Sequence, residues 1–254
     1  KINIPSSILK KTISSTLFAV SKDDLKPSLT GVLFRFNSEG MTAVATDGHR
    51  LVKTVNNDFK TDTFVGDIVV PKKFLSYLLA HIGDENIIIS VGDTHMTARI
   101  KEDTIISRTI NEVFPDYESV IPTDNNNKIT VDKKTLIGAI KRVSIFSNKS
   151  THQIAFNISK DAFFITTEDP ESSSKAKEEI IADYQGENII IGYNGEYLKD
   201  VLNHTSGEEI VIKLNTPISA TLFIGSEANE KKIMLLMPVR INSWNKKTQW
   251  KSVV

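Results

Sequence analysis

The sequence predicts an α+β protein made of two copies of one domain, each with two helices packed on antiparallel sheet. Three observations predict it: a long internal repeat, an amphipathic helix at the head of each half, and short β-branched runs separated by glycine-bearing turns. The repeat is the strongest. A shift of 123 positions lays residues 74–89 on residues 197–212. Six pairs are then identical: Leu75/Leu198, Leu79/Leu202, His81/His204, Glu85/Glu208, Ile87/Ile210 and Ile89/Ile212. In both stretches apolar residues at helical spacing give way to a β-branched run after a Gly-Asp-Glu-Asn or Ser-Gly-Glu-Glu turn. Each copy reads as a helix feeding a strand.

The elements follow in order. Ile8, Leu9, Thr12, Ile13, Thr16, Leu17 and Val20 form the apolar stripe of a first helix, with Ser6 or Ser7 as its N-cap. Strands are expected over residues 31–36, 41–46 and 50–54, joined as hairpins by the turn pairs Glu39-Gly40 and Asp47-Gly48. A second helix opens at Pro71-Lys72-Lys73 and leads to strands over residues 87–91 and 96–100. The polar run of residues 123–128 (Thr-Asp-Asn-Asn-Asn-Lys) reads as the linker, dividing a domain of residues 1–122 from one of residues 123–242. The second copy starts with a helix from Asp132, carrying Leu136, Ile137, Ile140 and Val143 inward. Strands over residues 154–158 and 163–167, a helix with Glu196, Lys199 and Asp200, and a strand over residues 210–213 complete it. Residues 243–254 form a tail that holds both tryptophans, Trp244 and Trp250; it reads either as a frayed, solvated end or cloning remnant, or as a segment whose Trp244 or Trp250 folds back over the strand before it.

Composition narrows the function classes. At 254 residues, 40% hydrophobic and 24% charged, the chain has the make-up of a soluble globular protein with a core of its own. It has no cysteine, which excludes disulfides, thiolate metal sites and cysteine nucleophiles. Lysine plus arginine and aspartate plus glutamate are both 31, so the surface as a whole does not coat a polyanion. The cations are nevertheless placed unevenly. Lys10 and Lys11 lie opposite the first helix's apolar stripe, Lys72 and Lys73 open the second, and Lys133, Lys134, Lys141 and Arg142 mark the third, while acids collect in loops such as Asp23-Asp24 and residues 168–171. Such faces are either ordinary solvated helix surfaces or a shared surface for a phosphate backbone with no base-reading element.

Catalytic signatures are missing. No phosphate-binding glycine loop, nucleophile elbow or His-Glu-x-x-His pair is present, and the five histidines are scattered. Asp93-x-His95 is a weak two-ligand pair, so neither a metal nor a cofactor is expected. His81 and His204 recur at the C-terminal ends of helices, where an imidazole suits the helix dipole. The competing enzymatic reading is a small-molecule-binding or hydrolytic α+β enzyme that uses His49 with Asp47 or Arg50.

Three segments carry a resemblance: Val-Ala-Thr-Asp-Gly-His-Arg-Leu at residues 44–51, Asn-Glu-Val-Phe-Pro-Asp-Tyr at residues 111–117 and Leu-Met-Pro-Val-Arg at residues 236–240. Together they resemble the bacterial DNA polymerase III β subunit, the sliding clamp, over residues 1–242. Members of that family have three similar domains and close head-to-tail into a dimeric ring around duplex DNA; this chain is similar to the second and third. The resemblance implies a non-catalytic processivity factor, cytoplasmic and nucleoid-associated, with no membrane contact. Its partners would be double-stranded DNA, the polymerase III catalytic subunit, the clamp loader and repair proteins carrying short linear motifs. It would turn the lysine-bearing helices toward DNA and add Lys22 and Lys26 from a neighbouring loop. Mobile lysines suit a protein that must slide. The resemblance also implies a pocket for a Gln/Leu/Phe-containing peptide. Leu29, Leu51, Val120, Met237 and Val239 form its trough, Arg50 and Arg240 supply rim donors, and Thr46, Gly48, His49, Pro115 and Pro238 complete it. Ser119 and Ala220 stand at rim positions where relatives differ. Ile145 and Phe146 would pack on the first domain of the other subunit, and without that domain are expected to be exposed.

Overall fold

The computed structural model describes residues 1–226 and 231–241. The first half contains β1 (Ile2–Ile4), α1 (Ser6–Thr16), β2 (Gly31–Asn37), β3 (Gly40–Thr46) and β4 (Arg50–Asn56). It continues with β5 (Gly66–Pro71), α2 (Lys72–His81), β6 (Ile87–Val91), β7 (His95–Ile100) and β8 (Asp103–Arg108). The second half opens with β9 (Asn127–Asp132), α3 (Lys133–Ser144), β10 (Gln153–Ile158), β11 (Phe163–Asp169) and β12 (Ser174–Ile180). It ends with β13 (Asp183–Gln185), β14 (Ile189–Asn194), α4 (Gly195–His204), β15 (Glu209–Leu214), β16 (Thr221–Gly225) and β17 (Lys231–Leu236). The shift of 123 read from the sequence carries Lys72–His81 onto Gly195–His204. The duplication is real in three dimensions.

Two helix ends repeat as well. His81 Nδ1 lies 2.8 Å from the Tyr77 carbonyl, and His204 Nδ1 lies 2.8 Å from the Asp200 carbonyl, each turning back on its own last turn. The helix starts differ between the copies. α3 and α4 are capped by side chains, Asp132 accepting from Thr135 N and Asn194 from Glu196 N and Tyr197 N. A cap such as Asn194 contributes about 1 kcal/mol. α1 corrects the expected serine cap: Pro5 holds the N-cap position, no side chain caps the helix, and Ser6 is its first residue. α2 starts in the same way behind Pro71. Proline's fixed φ sets the chain for helix entry, which replaces the missing cap.

Every strand pairing is antiparallel. Two sheets have four strands, β1-β6-β7-β8 and β12-β11-β10-β14, and one has nine, β13-β9-β15-β16-β17-β4-β3-β2-β5. The nine-stranded sheet joins the halves through β17 and β4, with Leu235 opposite Leu51 and Leu236 opposite Arg50. Alternation along its strands makes two apolar faces. Val32, Phe34, Ala43, Val52, Met234 and Leu236 join the main core with the four helices and both smaller sheets. Leu33, Val44, Leu51, Val69, Leu222 and Leu235 join a second cluster with Tyr117. That second face is roofed by residues 109–126, the segment that crosses between the halves, through Ile110, Phe114, Tyr117 and Ile121.

Three local expectations are corrected. Asn37 pairs with Gly40, so the first hairpin turns on Ser38-Glu39, and the Asn37 side chain accepts from both Glu39 N and Gly40 N. The polar run is only partly linker, because Asn127 and Lys128 lie in β9 and the Asn125 amide donates to the Lys213 and Ala220 carbonyls. Glu168 and Asp169 belong to β11, where Asp169 is buried and accepts from Asn148 and Ser172.

Candidate functional site

The sequence singled out two segments separated by almost two hundred positions, and the structure brings them together. Continuing past β17, the amide of Met237 donates to the His49 carbonyl at 2.8 Å, and Val239 N donates to the Gly192 carbonyl at 2.9 Å. The 47–49 turn is shaped by its own side chains. Asp47 Oδ1 accepts from His49 N and Arg50 N, and Thr46 Oγ1 donates to the Arg50 carbonyl while accepting from Gly48 N. Gly48 has φ +89° and open space around it, a backbone state that few other residues tolerate.

An apolar cluster lies beside this junction. Leu51 is buried among Leu222, Leu235, Ala220 and Tyr117, with Phe114 and Ile121 against them. By alternation Met237 follows Leu235 onto that face, and it is 37% exposed. Val120 and Pro115, on either side of buried Tyr117, are exposed. Of the predicted set, Met237, Val120 and Pro115 are exposed and Leu51 is buried. Leu29 is buried in the Pro27–Leu29 turn and belongs to neither of the two buried clusters. Ala220 is buried in the cluster rather than standing on a rim, and the Ser119 hydroxyl donates to the Asp116 carbonyl inside the crossing segment. Arg240 is exposed, with no ion pair among the described residues.

Arg50 corrects its assigned role as a rim donor. Its side chain is 10% exposed, donating from Nε to Asp47 at 3.0 Å and from Nη1 to Asp200 of α4 at 2.5 Å. Its guanidinium carbon lies 4.7 Å from the Tyr197 ring centroid and 5.4 Å from that of Phe18. His49 stacks on Tyr197, and Phe18 stacks on His204 at 4.0 Å. This cluster ties the first half's hairpin to the second half's last helix. It also removes the pairing a hydrolytic reading needs: the Asp47 carboxylate is bonded to the His49 backbone and to Arg50, not to the His49 imidazole. His95 Nδ1 faces Thr94 Oγ1 at 2.7 Å, and no group of three metal-ligating side chains forms among the described residues.

The proposed DNA-facing set divides. Lys11, Lys22, Lys26, Lys73, Lys134 and Lys141 are exposed, and Lys10 is half-buried. Burial lowers the Lys72 pKa, and the positive charges of Lys22 and Arg50 lower it further. Two members are already engaged inside the second half. Lys133 donates to the Thr205 carbonyl at the end of α4, and Arg142 grips the Glu178 carboxylate through two donors. All four helices pack on one face of the nine-stranded sheet through the main core. Ile145 and Phe146, at the end of α3, are exposed as expected.

The crossing segment is fastened by Tyr117. Arg35 grips Asp67 through two donors and reaches the Tyr117 hydroxyl at 3.2 Å, while Lys53 pairs with Glu118 at 3.1 Å. Burial raises the Tyr117 pKa, and the bond to Lys53 holds the Glu118 carboxyl below the usual range. Sequence reading missed Tyr197, Phe18 and Asp200 as parts of this junction. None of the three carries a local sequence signal for that contact.

Residues 3–116 match the family model described as DNA polymerase III beta subunit, central domain, and residues 118–240 match the one for its C-terminal domain. The chain belongs to the DNA polymerase III beta subunit family. The beta sliding clamp of Pseudomonas putida is 30% identical over 241 residues, which cover 94% of this chain and 65% of that protein. The beta sliding clamp of Escherichia coli K12 is 27% identical, over 95% of this chain and 66% of that protein. The crystal structure of the DNA polymerase sliding clamp from Pseudomonas aeruginosa superimposes with a TM-score of 0.89 at 30% identity, covering 95% of this chain and 67% of that one. That from Bacillus subtilis gives 0.87 at 28%, covering 94% and 64%. The chain thus spans about two thirds of the length of the sliding clamps it matches, and the family's α+β domain is present twice.

Proposed function

We propose that this chain is the peptide-gripping and DNA-facing part of a processivity clamp, which tethers a replicative polymerase to duplex DNA while letting it slide. The observation that supports this best is the hydrogen-bonded meeting of the 46–51 hairpin with the 235–240 segment beside the apolar cluster of Leu51, Leu222 and Leu235, which we read as a peptide trough. Its occupant is a short Gln/Leu/Phe-containing motif from the polymerase III catalytic subunit, the clamp loader and repair proteins. Met237 suits it, since an unbranched thioether adapts to several partner side chains. A Pseudomonas aeruginosa relative has been crystallised with griselimycin bound, so a sliding clamp can hold a ligand.

The helices supply the second surface. Exposed lysines on α1, α2 and α3, with Lys22 and Lys26, attract a phosphate backbone without reading bases, and enclosure replaces tight binding. Exposed Ile145 and Phe146 mark where the first domain of another subunit closes a head-to-tail dimer in the full-length protein. No described helix is long and apolar enough to cross a membrane. The working place is the nucleoid.

Fluorescence anisotropy with a labelled Gln-Leu-x-Leu-Phe peptide tests the trough. Met237→Ala is expected to weaken binding about tenfold, a loss of one well-packed contact, and Leu51→Lys to abolish it. Undiminished binding by both variants rejects the trough. Turnover of a substrate that is lost on His49→Ala rejects the whole reading.

A further inference from the structure

Between the crossing segment and the outer face of the first half lies a cavity of about 740 Å³. Its size is that of an ordinary ligand pocket. Leu33, Val69 and Val91 give it an apolar floor, and Phe114 and Tyr117 overhang it. Its charged lining is one-sided: Asp67, Asp93, Glu112, Asp116 and Glu118 against Arg35 alone. Two of those carboxylates are answered, Asp67 by Arg35 and Glu118 by Lys53. Asp93, Glu112 and Asp116 have no ion pair among the described residues. Between them Val113 stands 91% exposed. The cavity adjoins the proposed trough, because Leu33, Val69 and Tyr117 line it and belong to the same buried cluster as Leu51.

We infer that this cavity receives the residues flanking a partner's trough-binding motif, and that those residues are cationic with an apolar side chain among them. The argument is charge complementarity over an apolar floor, together with continuity of the two surfaces. A Lys/Arg-bearing flank neutralises the three carboxylates that lack an ion pair as its aliphatic stems cover Leu33 and Val69, whereas an acidic flank only adds like charge. The trough would fix where the motif sits, and the cavity would rank partners by what surrounds it. This rests on the trough reading above.

Two peptides test it by anisotropy at low salt, the bare Gln-Leu-x-Leu-Phe motif and the same motif with Lys/Arg residues on each side. The basic flanks are expected to tighten binding about fivefold, the yield of two partly exposed charge pairs. The gain fades as salt rises. Asp93→Lys with Glu112→Lys removes the gain and leaves the bare motif's affinity unchanged; Glu112→Gln removes part of it. A gain that survives charge reversal, or an equal gain from Asp/Glu flanks, overturns the inference. The two readings fail separately. If the bare motif does not bind, the trough is wrong, and amide NMR shifts at Val113 and Phe114 on adding a Lys-rich apolar peptide still decide the cavity: shifts in the wild type that vanish in the reversed variant support it, and unchanged spectra reject it.

Discussion

Ile106 of β8 and Leu235 of β17 occupy the same place in the two copies. Ile89 pairs with Ala98 and Ala98 with Ile105; in the second copy Ile212 pairs with Phe223 and Phe223 with Met234. Yet Ile106 is 65% exposed and Leu235 is 3% exposed. The difference lies outside the strand. β17 has β4 beside it and the crossing segment over it, whereas β8 is an edge with no strand on its outer side among the described residues. A hairpin shows the same contrast. Register places Asp47 and Arg50 on Asp169 and Ser174, and only the former pair has another domain's helix to hold. The repeat writes the domain twice, and the neighbour decides which surfaces become interior. Exposed apolar edge strands in turn invite pairing with another chain.

The largest test of this contrast is a matched pair of truncations. Leu235→Ala is expected to cost about 3 kcal/mol, the transfer loss plus the cavity left under the crossing segment. Ile106→Ala is expected to stay within about 0.5 kcal/mol, as surface substitutions do. Urea unfolding of both variants measures the difference. Equal losses would mean that β8 is covered in solution and that the contrast is not one of neighbours.

Arg50 carries the next largest effect, because it exists to span the halves. Arg50→Ala removes a nearly buried guanidinium from between two carboxylates and two rings, leaving Asp47 with fewer donors. Half-exposed Asp200 limits the loss to about 2 kcal/mol. Arg50→Lys is expected to recover only part of it, since an ammonium cannot donate to both carboxylates while lying flat on Tyr197. Hydrogen exchange in α4 should quicken in Arg50→Ala while exchange in α2 does not. Equal quickening in both helices would show that the loss is global rather than junctional.

Much of this was readable beforehand, and the reason is local physics. The helices and most strands follow from spacing alone, as with Leu75, Leu78 and their counterparts Leu198 and Val201. The approach of the 46–51 and 235–240 segments came from the resemblance, since no periodicity reports a contact across that span. Arg50 went wrong for a related reason. Its neighbours in sequence, His49 and Leu51, frame a site, but its partners Asp200, Tyr197 and Phe18 come from other elements and leave no local trace. Lys133 and Arg142 looked like open cations because helix spacing gives a face but not what packs beside it.

The smallest effect compares the helix starts. α3 is capped by Asp132 and α1 by no side chain, so only α3 should carry a pH signature from its first turn. The Thr135 hydroxyl, then the Thr135 backbone N–H, hold the Asp132 carboxyl below its ordinary value. A depressed folded-state pKa contributes stability that is complete above the unfolded value of about 4 and is lost as pH falls through the folded one. Asp132→Asn keeps a comparable cap without the charge. The urea midpoint of the wild type should therefore exceed that of the variant near pH 6, with the gap closing as pH falls below about 4. A gap independent of pH over that window would show that the carboxylate's charge adds nothing to the cap that the side-chain oxygen makes with Thr135.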